Sequence, residues 1–272
     1  MSMDNSIIID SCNSILKANY HTHTYRCKHG KGTDREFIEQ AIASGLKVLG
    51  FSDHCPWVYD TDYVSPIRMQ PSDLDDYFSS LLSLKKEYEN DITIYIGFES
   101  EYIPELMEKQ DQLLSGYPVD YMILGQHYNE PEYNSHYNGH GTNSLQQFTR
   151  YIDLIIEGME SGRYKYVAHP DILYYAGEEV VRVEQYTRLC KYFKEHDLPI
   201  EINLIGIKNG HHYPSDRLLR IAHEVGNTAI IGIDAHTPDL IGDTASIELC
   251  KTVADNYGIE VIDYLPGLEP QI

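Results

Sequence analysis

The chain has 272 residues, 13 of them histidine, and 42 acidic against 21 basic side chains give a formal net charge of −21. So acidic a protein lacks the basic surface that nucleic acid or an anionic membrane requires, and no run approaches the roughly 18–20 apolar residues that cross a bilayer. A hydrophobic fraction of 42% suits a sizeable core and argues against long disorder. The first residues carry no basic leader before an apolar stretch, so no signal peptide is expected. Cys12, Cys27, Cys55, Cys190 and Cys250 form an odd, scattered set without a CxxC pair, which fits free thiols and a cytoplasmic location.

Short apolar runs alternate with longer amphipathic stretches, without a repeat or a low-complexity linker. The expected strands are Ala18–His23, Val48–Ser52, Ile92–Glu99, Tyr121–Gln126, Tyr166–Ala168, Pro199–Asn203 and Ala229–Asp234, with a last short run at Ile259–Asp263. Helical patterns lie near 34–45, 72–89, 104–115, 144–160, 178–196, 214–225 and 244–256. Thr33 and Glu36 have capping-box spacing, Ser72 precedes an acidic first turn, Asn143 or Ser144 can cap the next long helix, and Gly45 and Gly162 can stop helices. Strand and helix alternating about seven times predict a parallel sheet with helices outside it. A closed barrel, one domain over 1–272, is favoured over an open sheet: chemistry-bearing residues recur after almost every strand, and neither glycine-rich phosphate loop is present.

Those residues carry the functional signal. His21 and His23 stand at i and i+2 and share one strand face. His54, Glu99, His127 and His169 close the following strands, and Asp234 and His236 repeat the i, i+2 pairing at the last one. His29 falls in the first loop. Nine potential ligands thus gather at one end of the barrel, too many for one metal and suited to two or three divalent ions, Zn, Fe or Mn. Glu99, with two oxygens, is the natural bridge. Close divalent ions activate a bridging water and hold the oxygens of a phosphoester, so hydrolysis of phosphate esters is expected.

The runs HTHTYRCKHG, GFSDH, the Ile67–Met69 segment, IYIGFESEY, LGQHY, VAHPD, EIN, YPS and GIDAHTP together resemble the PHP (polymerase and histidinol phosphatase) superfamily, and within it the monofunctional histidinol-phosphate phosphatases. The resemblance spans His21 to about Gly242. It implies a distorted (β/α)7 barrel with up to three divalent metals at the C-terminal strand ends. It implies that His21, His23, Glu99 and Asp234 hold one metal, Glu99, His127 and His169 a second, and His29, His54 and His236 a third. The implied reaction converts L-histidinol phosphate and water to L-histidinol and phosphate, with a metal-bridging hydroxide as nucleophile and Glu99 and Asp234 at its centre.

Members of that family hold phosphate with arginines in the later loops. Here one such position is Lys208, and the segment after His169-Pro170 has no arginine. Lys208 and Arg68 are expected to assist the phosphate, and Asn203 to hydrogen-bond substrate if it shares the inner face with Glu201. The loop 128–142, rich in Tyr, Asn and His, is positioned to cover the site; His136 and His140 within it, and His211 and His212, are further candidates for substrate contact. Asp53, facing away from His54, suits a supporting role, and Cys27 and Cys55 suit packing. The expected partner is a small phosphorylated molecule, with no nucleic acid or membrane and an undetermined oligomeric state. Another small phosphoester, an amidohydrolase-type reaction, or metal binding without catalysis are the alternatives; the Asp234-x-His236 pair departs from the lone terminal Asp of amidohydrolases.

Overall fold

The computed structural model describes residues 16–271. Cys12 and the N-terminal stretch in which no signal peptide is expected therefore lie outside the described residues. The elements are β1 (Ala18–Asn19), α1 (Asp34–Ala43), β2 (Val48–His54), α2 (Leu74–Glu87), β3 (Thr93–Ser100), α3 (Met107–Leu114), β4 (Tyr121–Leu124), α4 (Leu145–Glu160), α5 (Glu179–Glu195), β5 (Ile200–Asn203), α6 (Leu204–Lys208), α7 (Asp216–Val225), β6 (Ala229–Gly232), α8 (Pro238–Ile241) and α9 (Thr244–Tyr257).

All pairing is parallel. β1, β2, β3 and β4 lie side by side in chain order, and β5 pairs with β6. Val167 bridges Leu124 to Ile200, and Thr22 bridges to Ala235, so seven strand positions close into a distorted (β/α)7 barrel. Both faces of β2 and β3 are buried, as expected where helices cover one side and the barrel fills the other.

Six expected strands are shorter than their apolar runs, three of them markedly. The first stops at Asn19 because the Asn19 side chain takes over backbone partners: its Oδ1 accepts from the N–H of Ile233 at 2.9 Å, and its Nδ2 donates to the His21 carbonyl at 3.0 Å. The runs at 166–168 and 259–263 each reduce to single bridging residues, Val167 and Val261. The helices fall within about two to three residues of their sequence boundaries. Thr33 and Glu36 form the full capping box, and Ser144 caps α4 by accepting from the Gln147 N–H. Gly45 and Gly162 take positive φ as helix stops. Ser72 instead lies in a 3₁₀ turn that Gln70 and Asp73 cap.

One apolar core lies between strands and helices, with Phe37, Phe51, Phe98, Phe148 and Phe193 fully buried in it. A second fills the barrel and is rich in tyrosine: Tyr20, Tyr95, Tyr121 and Tyr166 pack with Leu265 and Leu268 of the C-terminal segment. Each polar tip has a partner. Tyr20 donates to the Leu268 carbonyl at 2.8 Å, Tyr121 to the Tyr20 carbonyl at 2.7 Å, and Tyr166 to Glu201 at 3.1 Å. This packing absorbs part of the tyrosine excess. The four described cysteines are free and buried, and among the described residues no helix is long and apolar enough to cross a membrane.

Candidate metal centre and active site

The nine sequence-predicted ligands meet at the C-terminal mouth of the barrel. Glu99, near the end of β3, is at the centre, with its carboxylate within 3.6 Å of ring nitrogens of His21, His23, His54, His127 and His169. Asp234 Oδ1 lies 3.1 Å from His23 Nε2, 3.5 Å from His21 Nε2 and 3.4 Å from His236 Nδ1. His236 Nε2 and His29 Nε2 are 2.9 Å apart.

The chain makes room for this convergence at specific places. A Cβ on Gly125 would fall 1.9 Å from Glu99 Oε1, so only glycine lets that carboxylate lie against the next strand. His169 and Asp234 both adopt positive φ, 30° and 57°, a conformation costly for residues with a side chain and often found at functional sites. It turns each side chain into the mouth just where its strand ends.

The donor set fits divalent metal. His21 Nε2, both nitrogens of His23, His169 Nδ1 and both oxygens of Glu99 are buried without a hydrogen-bond partner. Several of these atoms face one another at ion-pair distance but are misaligned for hydrogen bonding, as lone pairs aimed at a common centre would be. Groups able to hold an ion include His21, His23 and Asp234; His21, Glu99 and His169; His54, Glu99 and His127; and His23, His54 and His236. His54 thus groups with Glu99 and His127 as well as with His236, so it joins two of the sets that the family resemblance separates. Cys27 also lies near His29 and His236; its thiol accepts from the Gly30 N–H, and burial with Asp53 nearby pushes its pKa up to about 12.

Charge explains why such a cluster needs cations. Burial opposes ionisation of Glu99 and Asp234, but surrounding imidazoles outweigh it and hold both carboxyls well below their usual range. The same balance acts on the histidines. Burial lowers His21 and His23, yet Asp234 with Glu201 and Glu99 drives His21 well upward, and Asp234 with Asp53 raises His23 to about 9. His54 and His236 go the other way, through burial and the neighbouring His23; His236 falls to about 4. The buried anions hold positive charge at one side of the mouth, as protons or as metal ions.

Carboxylates stand behind the imidazoles and fix their orientation. Glu201 accepts from His21 Nδ1 at 2.8 Å, and Glu101 from His127 Nδ1 at 3.2 Å. Asp53 accepts from Thr24 and lies 3.7 Å from His23 Nδ1, consistent with a supporting role. Backbone carbonyls of Cys27 and Asp234 do the same for His29 and His236. Sequence reasoning missed Glu101. The signal was present: Glu99-x-Glu101 has the same i, i+2 spacing as His21-x-His23.

Three expected substrate contacts need correction. Arg68 is 1% exposed and spends its guanidinium on Glu101, Glu132 and the Cys55 carbonyl, so it braces the fold beneath the site. Lys208 is drawn to Asp243 at the start of α9 and does not line the cavity. Asn203 is buried with both ends of its amide engaged: Nδ2 donates to Glu201 and Asp234, and Oδ1 accepts from the Gly206 N–H. It orients Asp234 from behind.

A cavity of about 570 Å³ opens onto the cluster. Around the ligands it is lined by Ile67, Tyr128, Tyr137, His140, Ile172, Ile205, Asn209 and Tyr213, with neither lysine nor arginine. The loop 128–142 supplies Tyr128, Tyr137 and His140 and so forms one wall; His136, His211 and His212 do not line it.

Comparison with known proteins agrees with this geometry. The chain is 26% identical over 233 residues to a probable histidinol-phosphatase of Deinococcus radiodurans, covering 82% of this chain and 87% of the relative. It is 29% identical over 265 residues to a probable histidinol-phosphatase of Schizosaccharomyces pombe, covering 88% and 86%. In fold it is similar to the histidinol phosphate phosphatase of Lactococcus lactis, crystallised with zinc, L-histidinol and phosphate, with a TM-score of 0.70 at 19% identity over 94% of this chain and 99% of that one. Residues 19–204 match the PHP domain, and the chain belongs to that family.

Proposed function

We propose L-histidinol phosphate as the substrate of this metal-dependent phosphatase, with L-histidinol and phosphate as products. The observation that carries the reading is a buried Glu99 carboxylate ringed by five imidazoles beside the cavity, with both its oxygens, His21 Nε2 and His23 Nε2 lacking hydrogen-bond partners. The Deinococcus and Schizosaccharomyces relatives named as probable histidinol-phosphatases support the substrate, as does the Lactococcus enzyme's complex with L-histidinol and phosphate.

His21, His23, His29, His54, Glu99, His127, His169, Asp234 and His236 are the proposed ligands for two or three divalent ions, zinc, iron or manganese. When bound, such ions supply an activated water and neutralise charge on the phosphoryl group. The chain's own part is to hold the ligands in place through Glu201, Glu101 and Asp53, and to exclude water with the wall of loop 128–142. The site is local and small, which suits a compact phosphomonoester and explains how so acidic a chain can take an anionic substrate: the cluster concentrates positive charge at the mouth. A cytoplasmic location, and no nucleic-acid or membrane partner, complete the proposal.

The test is phosphate release from a panel of small phosphomonoesters that includes L-histidinol phosphate, on chelated protein and after adding back zinc, manganese or iron. Release that needs metal and is fastest with L-histidinol phosphate is expected. Preference for another ester discards the substrate, and full activity after exhaustive chelation discards the metal requirement.

A further inference from the structure

The family expectation of a cationic side chain on the phosphate is not met in this cavity, whose lining contains no lysine or arginine. Two other donors line it from separate loops, each beside a candidate ligand. Tyr137, in loop 128–142, lies beside His127, with ring centroids 6.2 Å apart and planes within 16°. Tyr213, after α6, lies beside His169 at 5.8 Å. Both line the cavity. Both hydroxyls are without a hydrogen-bond partner among the described residues, whereas Tyr20, Tyr121 and Tyr166 of the barrel interior all have one.

The backbone has been shaped to admit these rings. A Cβ on Gly139 would fall 2.3 Å from Tyr137 Cε1, and one on Gly206 would fall 2.1 Å from the Tyr213 carbonyl and 2.7 Å from its ring. Neither ring is a loose surface aromatic; Tyr213 is 9% exposed.

We propose that Tyr137 and Tyr213 bind the substrate phosphate, each donating its phenolic O–H to a non-bridging oxygen, in place of the arginines of related phosphatases. This rests on the phosphatase reading above. A neutral donor suits this position, because it adds no positive charge to a mouth that already concentrates it, and a hydrogen bond to a charged oxygen is stronger than a neutral one.

The experiment measures binding of inorganic phosphate to the zinc-loaded full-length chain by calorimetry, together with KM and kcat for L-histidinol phosphate. Tyr137→Phe and Tyr213→Phe are compared with the parent, singly and combined. Each single variant should weaken phosphate binding about tenfold and the pair by more, with zinc content and melting temperature unchanged. A double variant that binds phosphate as tightly as the parent overturns the proposal. So does a single variant that weakens phosphate only by losing zinc. If the parent binds phosphate but hydrolyses no ester, the phosphatase reading fails, while the tyrosine effect on phosphate still decides this proposal.

Discussion

Glu201 Oε1 accepts a hydrogen bond from His21 Nδ1 at 2.8 Å, while Glu201 Oε2 accepts one from the backbone N–H of His169 at 2.8 Å. One carboxylate from β5 therefore orients the His21 imidazole just beyond β1 and fixes the positive-φ backbone of His169, a second candidate ligand. Gly232 makes space for it, since a Cβ there would fall 1.9 Å from Glu201 Oε1. Glu201→Gln should lower zinc affinity by about 10–100-fold without unfolding the chain. Competition titration against a chromophoric chelator measures this, and unchanged affinity would remove Glu201 from the positioning role.

Glu99 is closer to the chemistry. Replacing it with Gln keeps the shape but removes the charge that five histidines face. Both metal content and turnover should fall, turnover by at least about a hundredfold if the bridge supplies several kcal/mol of charge stabilisation. Elemental analysis and phosphate release check the two effects separately, and normal values for both reject the bridging assignment.

Gly125→Ala tests the same carboxylate from the other side. The added methyl meets Glu99 Oε1, Cδ and Cγ, the nearest at 1.9 Å, so the carboxylate must move. Metal affinity should drop although no ligand has been changed. Full metal content in this variant would show that Glu99 tolerates displacement.

Arg68 predicts a stability effect. Its guanidinium pairs with Glu101 at 3.0 Å and Glu132 at 2.9 Å, all three buried, and Glu132 also accepts from Ser65 and Tyr63. Arg68→Met leaves two buried carboxylates without their cation and should cost about 3–5 kcal/mol of unfolding free energy. Urea denaturation of the metal-free protein measures it. Because Glu101 also holds His127, metal affinity should fall as well.

Metal uptake should release protons. In the metal-free protein His21 and His23 are raised above 6.5, His23 to about 9, so near neutral pH both carry protons that a metal must displace. Affinity should therefore rise with pH through this range and fall in acid. Calorimetry of zinc binding at pH 7 in buffers of different ionisation enthalpy should show on the order of two protons released per chain. The sign for stability is the reverse: a raised histidine stabilises the metal-free fold fully below about 6.5, and this is lost as pH rises through about 9. No proton release would contradict the charge balance described here.

Much of the site is legible in the sequence. Ligand-type residues closing successive strands can be read from hydrophobic runs and i, i+2 spacing alone, because side chains alternate along a strand. The helix starts at Thr33 and Ser144 were equally plain, since a capping hydroxyl acts within one turn. Arg68 and Lys208 were misjudged for a common reason. A cation near a phosphate-binding site reads as a phosphate ligand, but its direction depends on carboxylates distant in sequence: Glu101 and Glu132 for Arg68, and Asp243 for Lys208.

The sequence by itself determined the alternation that builds a parallel barrel, the excess of negative charge, and the nine candidate ligands, because each follows from composition or from periodicity over a few residues. Tertiary structure decided what stands behind and opposite those ligands. Glu201 reaches His21 across 180 residues of chain, and Glu101 reaches His127 across 26. Tyr137 and Tyr213 face one cavity from separate loops. Hydrogen bonds and charge pairs act over a few ångströms of space, and only the closed barrel brings those residues within that reach.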